Sequence, residues 1–285
     1  MSSTIESIGV IGAGQMGHGI AQVAAMSGYD VTLYDRDAEA LEAGHEAIQK
    51  SLAKLVSKDR LSEEDRDASI NRLQTTADLK SFGSCDLIVE AIVENLDAKL
   101  ELFSTLDEIA SDKAILASNT SSISITRMAA ATSRPDRFIG MHFMNPVPIM
   151  KLVELIEGLA TSEETSQAIQ EVVDTMGKTA VFSKDTPGFI VNRILMPMIN
   201  EAVFALQEGL ATAEDIDAAM KLGTNQPMGP LTLADFIGLD TCLSILEVLH
   251  DNLGDPKYRP CPLLRNYVDA GWVGRKAGRG FYTYE

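Results

Sequence analysis

The chain has 285 residues, of which 45% are hydrophobic and 23% charged, and its formal net charge at pH 7 is −17. This composition predicts a globular protein of two domains with a large hydrophobic core, and it excludes a disordered chain. Because so acidic a surface repels phosphate backbones and anionic lipids, nucleic acid and membrane are excluded as partners, and an anionic substrate needs a local basic patch.

The first residues, Met1-Ser2-Ser3-Thr4-Ile5-Glu6, have neither the basic nor the long apolar region of a secretion signal. We therefore expect a cytoplasmic location. The three cysteines, Cys85, Cys242 and Cys261, are far apart in sequence and have no partner at a metal-binding spacing. They are expected to be reduced, non-catalytic thiols, and no metal site is predicted.

A dinucleotide-binding fingerprint follows the first predicted strand, Ile8–Ile11. The turn reads Gly12-Ala13-Gly14-Gln15-Met16-Gly17, and a helical stretch continues to Met26. In a strand-turn-helix context, Gly12 permits the tight turn, Gly14 lets the backbone approach a pyrophosphate, and Gly17 allows close packing of the helix. These six residues are predicted to bind the cofactor, mainly through main-chain N–H groups.

The second predicted strand, Tyr29–Tyr34, ends at Asp35, eighteen residues after Gly17. An acidic residue at this place binds the adenosine ribose of NAD. Arg36 is a basic neighbour that is able to pair with the 2′-phosphate of NADP, so NADP remains an alternative cofactor. NAD is the favoured prediction.

Short apolar runs separated by helical patterns continue along the first two thirds of the chain. Such alternation predicts an α/β domain with a parallel, doubly wound sheet of the Rossmann type. The runs are Ile8–Ile11, Val31–Tyr34, Leu87–Val93, Ile115–Ser118 and Phe138–His142. An inserted helical hairpin is predicted at about residues 39–70, with a break near Ser57 and a helix start at Ser62.

The pattern changes after Pro187, where only helical spacing remains. We predict a dinucleotide-binding domain over residues 1–186 and a smaller all-helical domain over 187–285, with a substrate-binding and dimer-forming role. The predicted helices of this second domain are Phe189–Gly209, Thr212–Leu222, Leu231–Leu253 and Pro262–Ala270.

The candidate chemistry lies between residues 118 and 154. His142 ends an apolar strand, and Glu154 interrupts the strand-like run Lys151–Ile156. Because a buried carboxylate needs a partner, the two are predicted to pair; the less favoured alternative is that Glu154 faces water at a sheet edge. A histidine backed by a carboxylate is suited to accept the proton of a secondary alcohol while a nicotinamide takes the hydride.

Five motifs in order resemble the L-3-hydroxyacyl-CoA dehydrogenase family over essentially the whole chain, and its short-chain 3-hydroxybutyryl-CoA members most in layout. They are Ser118–Ser122, His142–Pro148, Lys151–Glu154, Asp185–Arg193 and Gly274–Tyr282. The resemblance implies reversible oxidation of 3-hydroxybutyryl-CoA to acetoacetyl-CoA, a place in fatty acid metabolism, and a homodimer formed through the C-terminal domain. One departure is Ala277, where the family often has Thr.

The resemblance also implies roles for individual residues. His142 would be the base, Glu154 its orienting partner, and Ser121 and Asn192 donors to the reacting oxygens. Further cofactor contacts would come from Glu94, Lys99, Ser121, Asn145 and Lys276. Coenzyme A would be bound by Ser51, Lys58 and Ser121. The residues alone allow other interpretations. Asn192 is equally consistent with a polar residue at a helix start, and Lys276 with a solvated loop residue. The cationic stripe of Lys50, Lys54 and Lys58 is equally typical of a solvated helix face.

Two other functions remain open at this stage. The first is a related 3-hydroxyacid or gulonate dehydrogenase that does not use coenzyme A. The second is a non-catalytic nucleotide-binding protein, against which the joint presence of Ser121, His142, Glu154 and Asn192 argues.

Overall fold

The chain divides into two compact units, Met1–Thr186 and Pro187–Glu285. Their computed structural model describes residues 5–284. The first unit is an α/β fold and the second is helical, with only isolated β-bridges near its end in the described residues. The predicted fold class, a Rossmann-type sheet followed by a smaller all-helical part, is confirmed.

The first unit contains one eight-stranded sheet in the order β3-β2-β1-β4-β5-β6-β7-β8. The first six strands in this order have the doubly wound arrangement of a dinucleotide-binding fold. The strands are β1 Ser7–Ile11, β2 Asp30–Tyr34, β3 Leu73–Thr76, β4 Leu87–Glu90, β5 Ile115–Ser118, β6 Phe138–Phe143, β7 Leu152–Glu157 and β8 Thr179–Lys184.

The apolar runs predicted a parallel sheet, but the observed sheet is not parallel throughout. Strand β7 pairs antiparallel with β6, and β8 is parallel to β7. The segment between β6 and β7 is a hairpin connection rather than a helical crossover, and a hairpin reverses the chain direction. The two edge strands β3 and β8 escaped prediction because half-exposed strands do not form continuous apolar runs.

Six α-helices belong to the first unit over its described residues, 5–186. Their bounds are α1 Gln15–Met26, α2 Ala38–Val56, α3 Glu63–Asn71, α4 Leu96–Ile109, α5 Ile125–Ala129 and α6 Glu163–Thr175. Helices α2 and α3 occupy the region of the predicted hairpin, and Ser62 caps α3 by accepting a hydrogen bond from the Asp65 N–H at 3.0 Å. Since α2 ends at Val56, Lys58 lies in the following turn and not on the helical face with Lys50 and Lys54.

The second unit contains α7 Val191–Gln207, α8 Ala213–Thr224, α9 Pro230–Ile237, α10 Leu239–Leu253 and α11 Pro262–Asp269. The single helix predicted over Leu231–Leu253 is wrong, because Gly238 adopts φ +105° and ends α9 there. The core of this unit is an apolar cluster built around Ile199, Leu231, Leu246 and Leu264.

Candidate active site

Functional side chains collect where the parallel strands of the first unit end. Asp35 follows β2, Ser118 ends β5, and His142 is the penultimate residue of β6. Because these strands are parallel, their carboxyl ends lie at one edge of the sheet, which is where open α/β sheets bind ligands.

The glycine turn has the geometry that a dinucleotide needs. Gly12 adopts φ +102°, and a Cβ at Gly17 would lie 1.6 Å from the Gly12 carbonyl oxygen. A Cβ at Gly14 would instead meet no atom within 4 Å, so this position faces open space. Gly12 and Gly17 are thus required by packing, whereas the small size of Gly14 leaves room for a ligand.

The N-terminus of α1 is left open for an anion. Gly14 is its N-cap, no side chain caps it, and no acidic residue lies in its first turn. Its N–H groups and the helix dipole therefore favour a phosphate. The Ala13 N–H is the exception in this turn, because it donates to Asp35 Oδ2 at 2.8 Å.

A cavity of about 530 Å³ adjoins this turn, and Gly12, Gly14, Asp35, Ile92 and Leu102 are among its lining residues. Its size, its apolar walls and the Asp35 carboxylate at the end of β2 are typical of a nucleotide site. These residues fit the adenosine half of NAD.

His142 lies between two polar side chains. Its Nδ1 atom is 2.7 Å from Glu154 Oε2, and its Nε2 atom is 3.1 Å from Ser121 Oγ. Glu154 is fully buried and His142 is 5% exposed. Because an ionised carboxylate only accepts hydrogen bonds, this geometry favours the tautomer with the proton on Nδ1, in which the Nε2 lone pair faces Ser121.

The loop that carries Ser121 is held by Glu94. Glu94 Oε1 accepts hydrogen bonds from Thr120 Oγ1 at 2.5 Å, from the Ser121 N–H at 2.9 Å and from the Ser122 N–H at 3.2 Å. Lys99, on α4, is 1% exposed, and its Nζ is 3.3 Å from Glu94 Oε2. Glu94, Lys99, Ser121, His142 and Glu154 thus form one connected network.

Asn145 lies beside the glycine turn, since Gln15 Nε2 donates to Asn145 Oδ1 at 3.1 Å. Its loop is fixed by Lys178, whose Nζ donates to the carbonyls of Val147 at 2.6 Å and Met150 at 2.7 Å. Burial lowers the pKa of Lys178 below its ordinary value.

The remaining predicted residues lie elsewhere in the described chain. Asn192 is a buried residue of α7, and Lys276 Nζ pairs with Asp240 Oδ2 at 2.7 Å, both within the second unit. Ser51 is half-buried on α2, and Lys58 is exposed just after it. Met16 begins the buried face of α1.

Sequence reasoning missed three polar residues of this site. Glu90 is fully buried at the end of β4, and Asn119 Oδ1 accepts a hydrogen bond from the Phe143 N–H at 2.9 Å. Asp185 receives hydrogen bonds from Ser124 Oγ at 2.7 Å and from the N–H groups that begin α5. The sequence signal for Glu90 was its position as a carboxylate inside the apolar run Leu87–Val93, because a buried carboxylate needs a partner.

The thiols lie apart from this chemistry. Burial, together with the neighbouring Asp86 charge, raises the pKa of Cys85 to about 11, and burial and nearby carboxylates raise the pKa of Cys242 to about 12. Within residues 5–284, no three His, Cys, Asp or Glu side chains are grouped to hold a metal ion. None of the helices described is both long and apolar enough to cross a bilayer.

Two family models match the chain consecutively. The 3-hydroxyacyl-CoA dehydrogenase NAD binding domain matches residues 7–186, and the C-terminal domain of the same family matches residues 188–284. The chain belongs to the 3-hydroxyacyl-CoA dehydrogenase family. It is therefore an oxidoreductase that uses NAD, as the fingerprint and Asp35 predicted.

Curated relatives resemble the chain over its full length. A probable 3-hydroxybutyryl-CoA dehydrogenase of Bacillus subtilis is 59% identical over 99% of this chain and 98% of its own. The 3-hydroxybutyryl-CoA dehydrogenase of Bradyrhizobium diazoefficiens is 56% identical over 100% and 97%. The crystal structure of (S)-3-hydroxybutyryl-CoA dehydrogenase from Ralstonia eutropha superimposes with a TM-score of 0.96 at 49% identity and covers 99% of both chains.

Proposed function

We propose that this dehydrogenase interconverts L-3-hydroxybutyryl-CoA and acetoacetyl-CoA. The observation that carries this proposal is the His142 imidazole, which is held by Glu154 on one side and by Ser121 on the other at the edge of the sheet that bears the glycine turn. The names of the similar dehydrogenases favour the four-carbon substrate.

The proton of the substrate passes to His142. Its Nε2 lone pair accepts the hydrogen of the 3-hydroxyl group, and Glu154 Oε2, 2.7 Å from Nδ1, stabilises the positive charge that the imidazole acquires. Ser121 Oγ, 3.1 Å from Nε2, is placed to donate to the substrate oxygen. The family resemblance adds Asn192 as a further proposed donor. In the reverse direction His142 returns the proton to the 3-oxo group.

When bound, NAD would supply the acceptor for the hydride from substrate C3. The open helix terminus, the space at Gly14 and the carboxylate of Asp35 support cofactor binding at the turn. The proposed cofactor-binding group is Gly12, Ala13, Gly14, Gln15, Met16, Gly17, Asp35, Glu94, Lys99, Ser121, Asn145 and Lys276.

Coenzyme A is assigned to the end of α2 and its turn. Ser51, Lys58 and Ser121 form the proposed contact set, and Lys58 supplies positive charge in a strongly acidic chain. Lys50 contributes less free charge, because its Nζ is 2.9 Å from Glu46 Oε2. The proposed domains are residues 1–186 for the cofactor and 187–285 for the substrate and the dimer.

A homodimer through the second domain is supported by its apolar surface. A groove of about 420 Å³ is lined almost entirely by apolar side chains, including Met198, Ala205 and Ile216. Leu210 and Leu222 are 77% and 88% exposed nearby in the sequence. Burying such side chains favours self-association. Sedimentation of the protein as a monomer at micromolar concentration would contradict the dimer.

We also propose that the enzyme is located in the cytoplasm.

The decisive assay follows NADH oxidation at 340 nm with acetoacetyl-CoA. Robust NADH oxidation with acetoacetyl-CoA is the expected result, together with no NAD reduction when free 3-hydroxy acids or gulonate, which are hydride donors, are supplied with NAD. Activity on free acids alone favours the non-CoA dehydrogenases, and no turnover with any substrate favours a nucleotide-binding protein without catalysis. NADPH and a series of longer 3-oxoacyl-CoA substrates test the cofactor and the acyl length.

A further inference from the structure

The β6–β7 loop, residues 144–151, carries Asn145 to the glycine turn. Asn145 is exposed near the start of this loop, where its Oδ1 accepts the hydrogen bond from Gln15 at the beginning of α1. The loop lies outside the β6–β7 ladder, which ends at the pair of Phe143 with Val153. Contacts other than strand pairing must therefore fix the place of Asn145.

Val147 attaches one side of the β6–β7 loop to α1. Its side chain is 2% exposed, and a Cβ added at Gly19 would lie 2.9 Å from Val147 Cβ. Real Cβ atoms do not approach so closely, so the loop can lie this near to the helix only because Gly19 has no side chain. Since α1 begins at the glycine turn, this contact sets the distance between the loop and the turn.

Lys178 holds the loop from its other side. Its Nζ donates to the Val147 carbonyl at 2.6 Å and to the Met150 carbonyl at 2.7 Å. The main chain turns between these two carbonyls, because the N–H groups of Ile149 and Met150 both donate to the Pro146 carbonyl at 3.0 Å. An ammonium has three hydrogens, and two of them here join two points of a single loop by charge-assisted hydrogen bonds.

The main chain of Lys178 is itself fixed at the end of α6. Gly177 adopts φ +65°, and its N–H donates to the Asp174 carbonyl at 2.9 Å. The Lys178 N–H donates to the Val173 carbonyl at 3.1 Å. This pair of bonds is the Schellman arrangement that ends many helices. Lys178 therefore reaches the loop from a backbone position that does not depend on the loop.

We propose that Lys178 is a positioning residue for dinucleotide binding, which acts through the β6–β7 loop to hold the Asn145 amide beside the glycine turn. The inference rests on the proposed function, which assigns Asn145 to the cofactor. Without the ammonium, the carbonyls of Val147 and Met150 are no longer joined, and Asn145 occupies its binding position for less of the time. The proton-transferring pair of His142 and Glu154 is held by the strand ladder, so it is unaffected.

The test is a double-mutant cycle with Lys178→Met, Asn145→Ala and the double variant, measured by fluorescence titration with NADH. Asn145→Ala is expected to raise Kd by about 5- to 10-fold, which is the usual worth of one hydrogen bond. Lys178→Met is expected to raise Kd by a similar factor. In the Asn145→Ala background the same substitution should cause no further loss, because the group through which it acts is gone.

The kinetic constants provide a second measurement that a general loss of stability would not reproduce. At saturating NADH, kcat of Lys178→Met with acetoacetyl-CoA should stay within about threefold of the wild-type value, whereas KM for NADH should rise with Kd. Binding and chemistry are thus separated in one variant.

Lys184→Met is the matched control. Lys184 is an exposed lysine of β8 that pairs with Glu157, so its removal takes one positive charge from the same sheet without touching the loop carbonyls. Its Kd for NADH should stay within about twofold of the wild-type value. Gly19→Ala is a second probe should Lys178→Met fail to fold. Its methyl group displaces Val147, and it is expected to raise Kd with the same dependence on Asn145.

Four outcomes overturn the proposal. They are an unchanged Kd in both Lys178→Met and Gly19→Ala, losses of Lys178→Met and Asn145→Ala that multiply in the double variant, a loss in Lys184→Met as large as that in Lys178→Met, and a fall in kcat of Lys178→Met at unchanged Kd. Because the titration needs no substrate, a wild-type protein that binds NADH without reducing acetoacetyl-CoA contradicts the proposed function alone.

Discussion

His142 and Glu154 are direct cross-strand partners in the antiparallel pair formed by β6 and β7. Directly opposed residues project to the same face of a sheet, with Cβ atoms about 4.5–5.5 Å apart. The register therefore brings the imidazole and the carboxylate together without help from any loop, and their 2.7 Å contact is buried. Shifting the register by one residue would place them on opposite faces.

Replacing His142 with Asn is expected to lower kcat for acetoacetyl-CoA reduction by about 10²- to 10⁴-fold, because the group that exchanges the proton is lost. NADH affinity, measured by fluorescence titration, should stay within about threefold, because the glycine turn and Asp35 are untouched. His250→Asn is the control, since His250 is half-exposed on α10 beside Asp251 and should retain full turnover. Near-normal turnover of His142→Asn removes this residue from the role of base.

Glu154→Gln keeps the size of the side chain and removes its charge. We expect kcat to fall by about 10- to 100-fold, because the positive imidazole formed during oxidation loses its stabilising partner. Glu157→Gln is the matched control on the same strand, where the carboxylate pairs with Lys184 at the surface and the pKa of Glu157 lies below its ordinary value because of that lysine. If both variants are equally active, Glu154 has no catalytic role.

Two alanine substitutions in the glycine turn should have opposite effects. Gly14→Ala places a methyl group in open space, so Tm should be unchanged, but the added carbon occupies the pyrophosphate site and NADH affinity should fall by at least about tenfold. Gly17→Ala drives the methyl group into the Gly12 carbonyl and should destabilise the fold by about 1–3 kcal/mol. Calorimetry and NADH titration separate the two, and equal Tm losses would contradict the assignment.

Asp35→Ala is expected to weaken NAD binding by about tenfold, since both the ribose partner and the acceptor of the Ala13 N–H are lost. Discrimination between NAD and NADP should decrease at the same time, because the carboxylate repels a 2′-phosphate. Asp30→Ala, at the exposed start of the same strand, is the control and should leave both cofactor constants unchanged.

Alkaline pH should weaken the second unit. Tyr282 OH donates to Asp217 Oδ2 and Tyr284 OH to Asp235 Oδ2, each at 2.9 Å. Burial, with the hydrogen bond to the carboxylate, raises the pKa of both phenols above the ordinary value of 10.0. Their contribution to stability is therefore fully present below the unfolded pKa of about 10 and is lost as the pH rises above it.

Chemical denaturation from about pH 8 to pH 11 tests this expectation. The free energy of unfolding of the wild type should fall more steeply above about pH 10 than that of a protein carrying Tyr282→Phe and Tyr284→Phe. Parallel curves for the two proteins would show that these phenols do not couple to folding.

The sequence predicted the parts of this protein that follow from local patterns. The glycine turn, Asp35 at the end of β2 and the core strands are each encoded by a few adjacent residues, and the structure has them within a few positions. The pairing of His142 with Glu154 was predictable because a carboxylate in an apolar strand requires a partner.

Other features depend on contacts between distant residues. The sequence does not show that Glu90 belongs to the site, because its partners are distant along the chain. Lys99, nine residues later, and Ser118, twenty-eight residues later, both donate hydrogen bonds to its carboxylate. The break at Gly238 is hidden by the apolar residues on both sides, which continue the helical period of α9 and α10. Neither edge strand, β3 nor β8, has the apolar continuity that identifies the others.

The uncapped beginning of α1 has a consequence for the lifetime of the protein. Most helices of the first unit begin with a side chain that satisfies their first amides, but the N-cap of α1 is Gly14, which leaves this task to water or to the dinucleotide. Binding to the native state alone adds RT ln(1 + [L]/Kd) to its stability, about 2.7 kcal/mol at a hundredfold excess over Kd. The resistance of the enzyme to proteolysis should accordingly follow the abundance of its coenzyme.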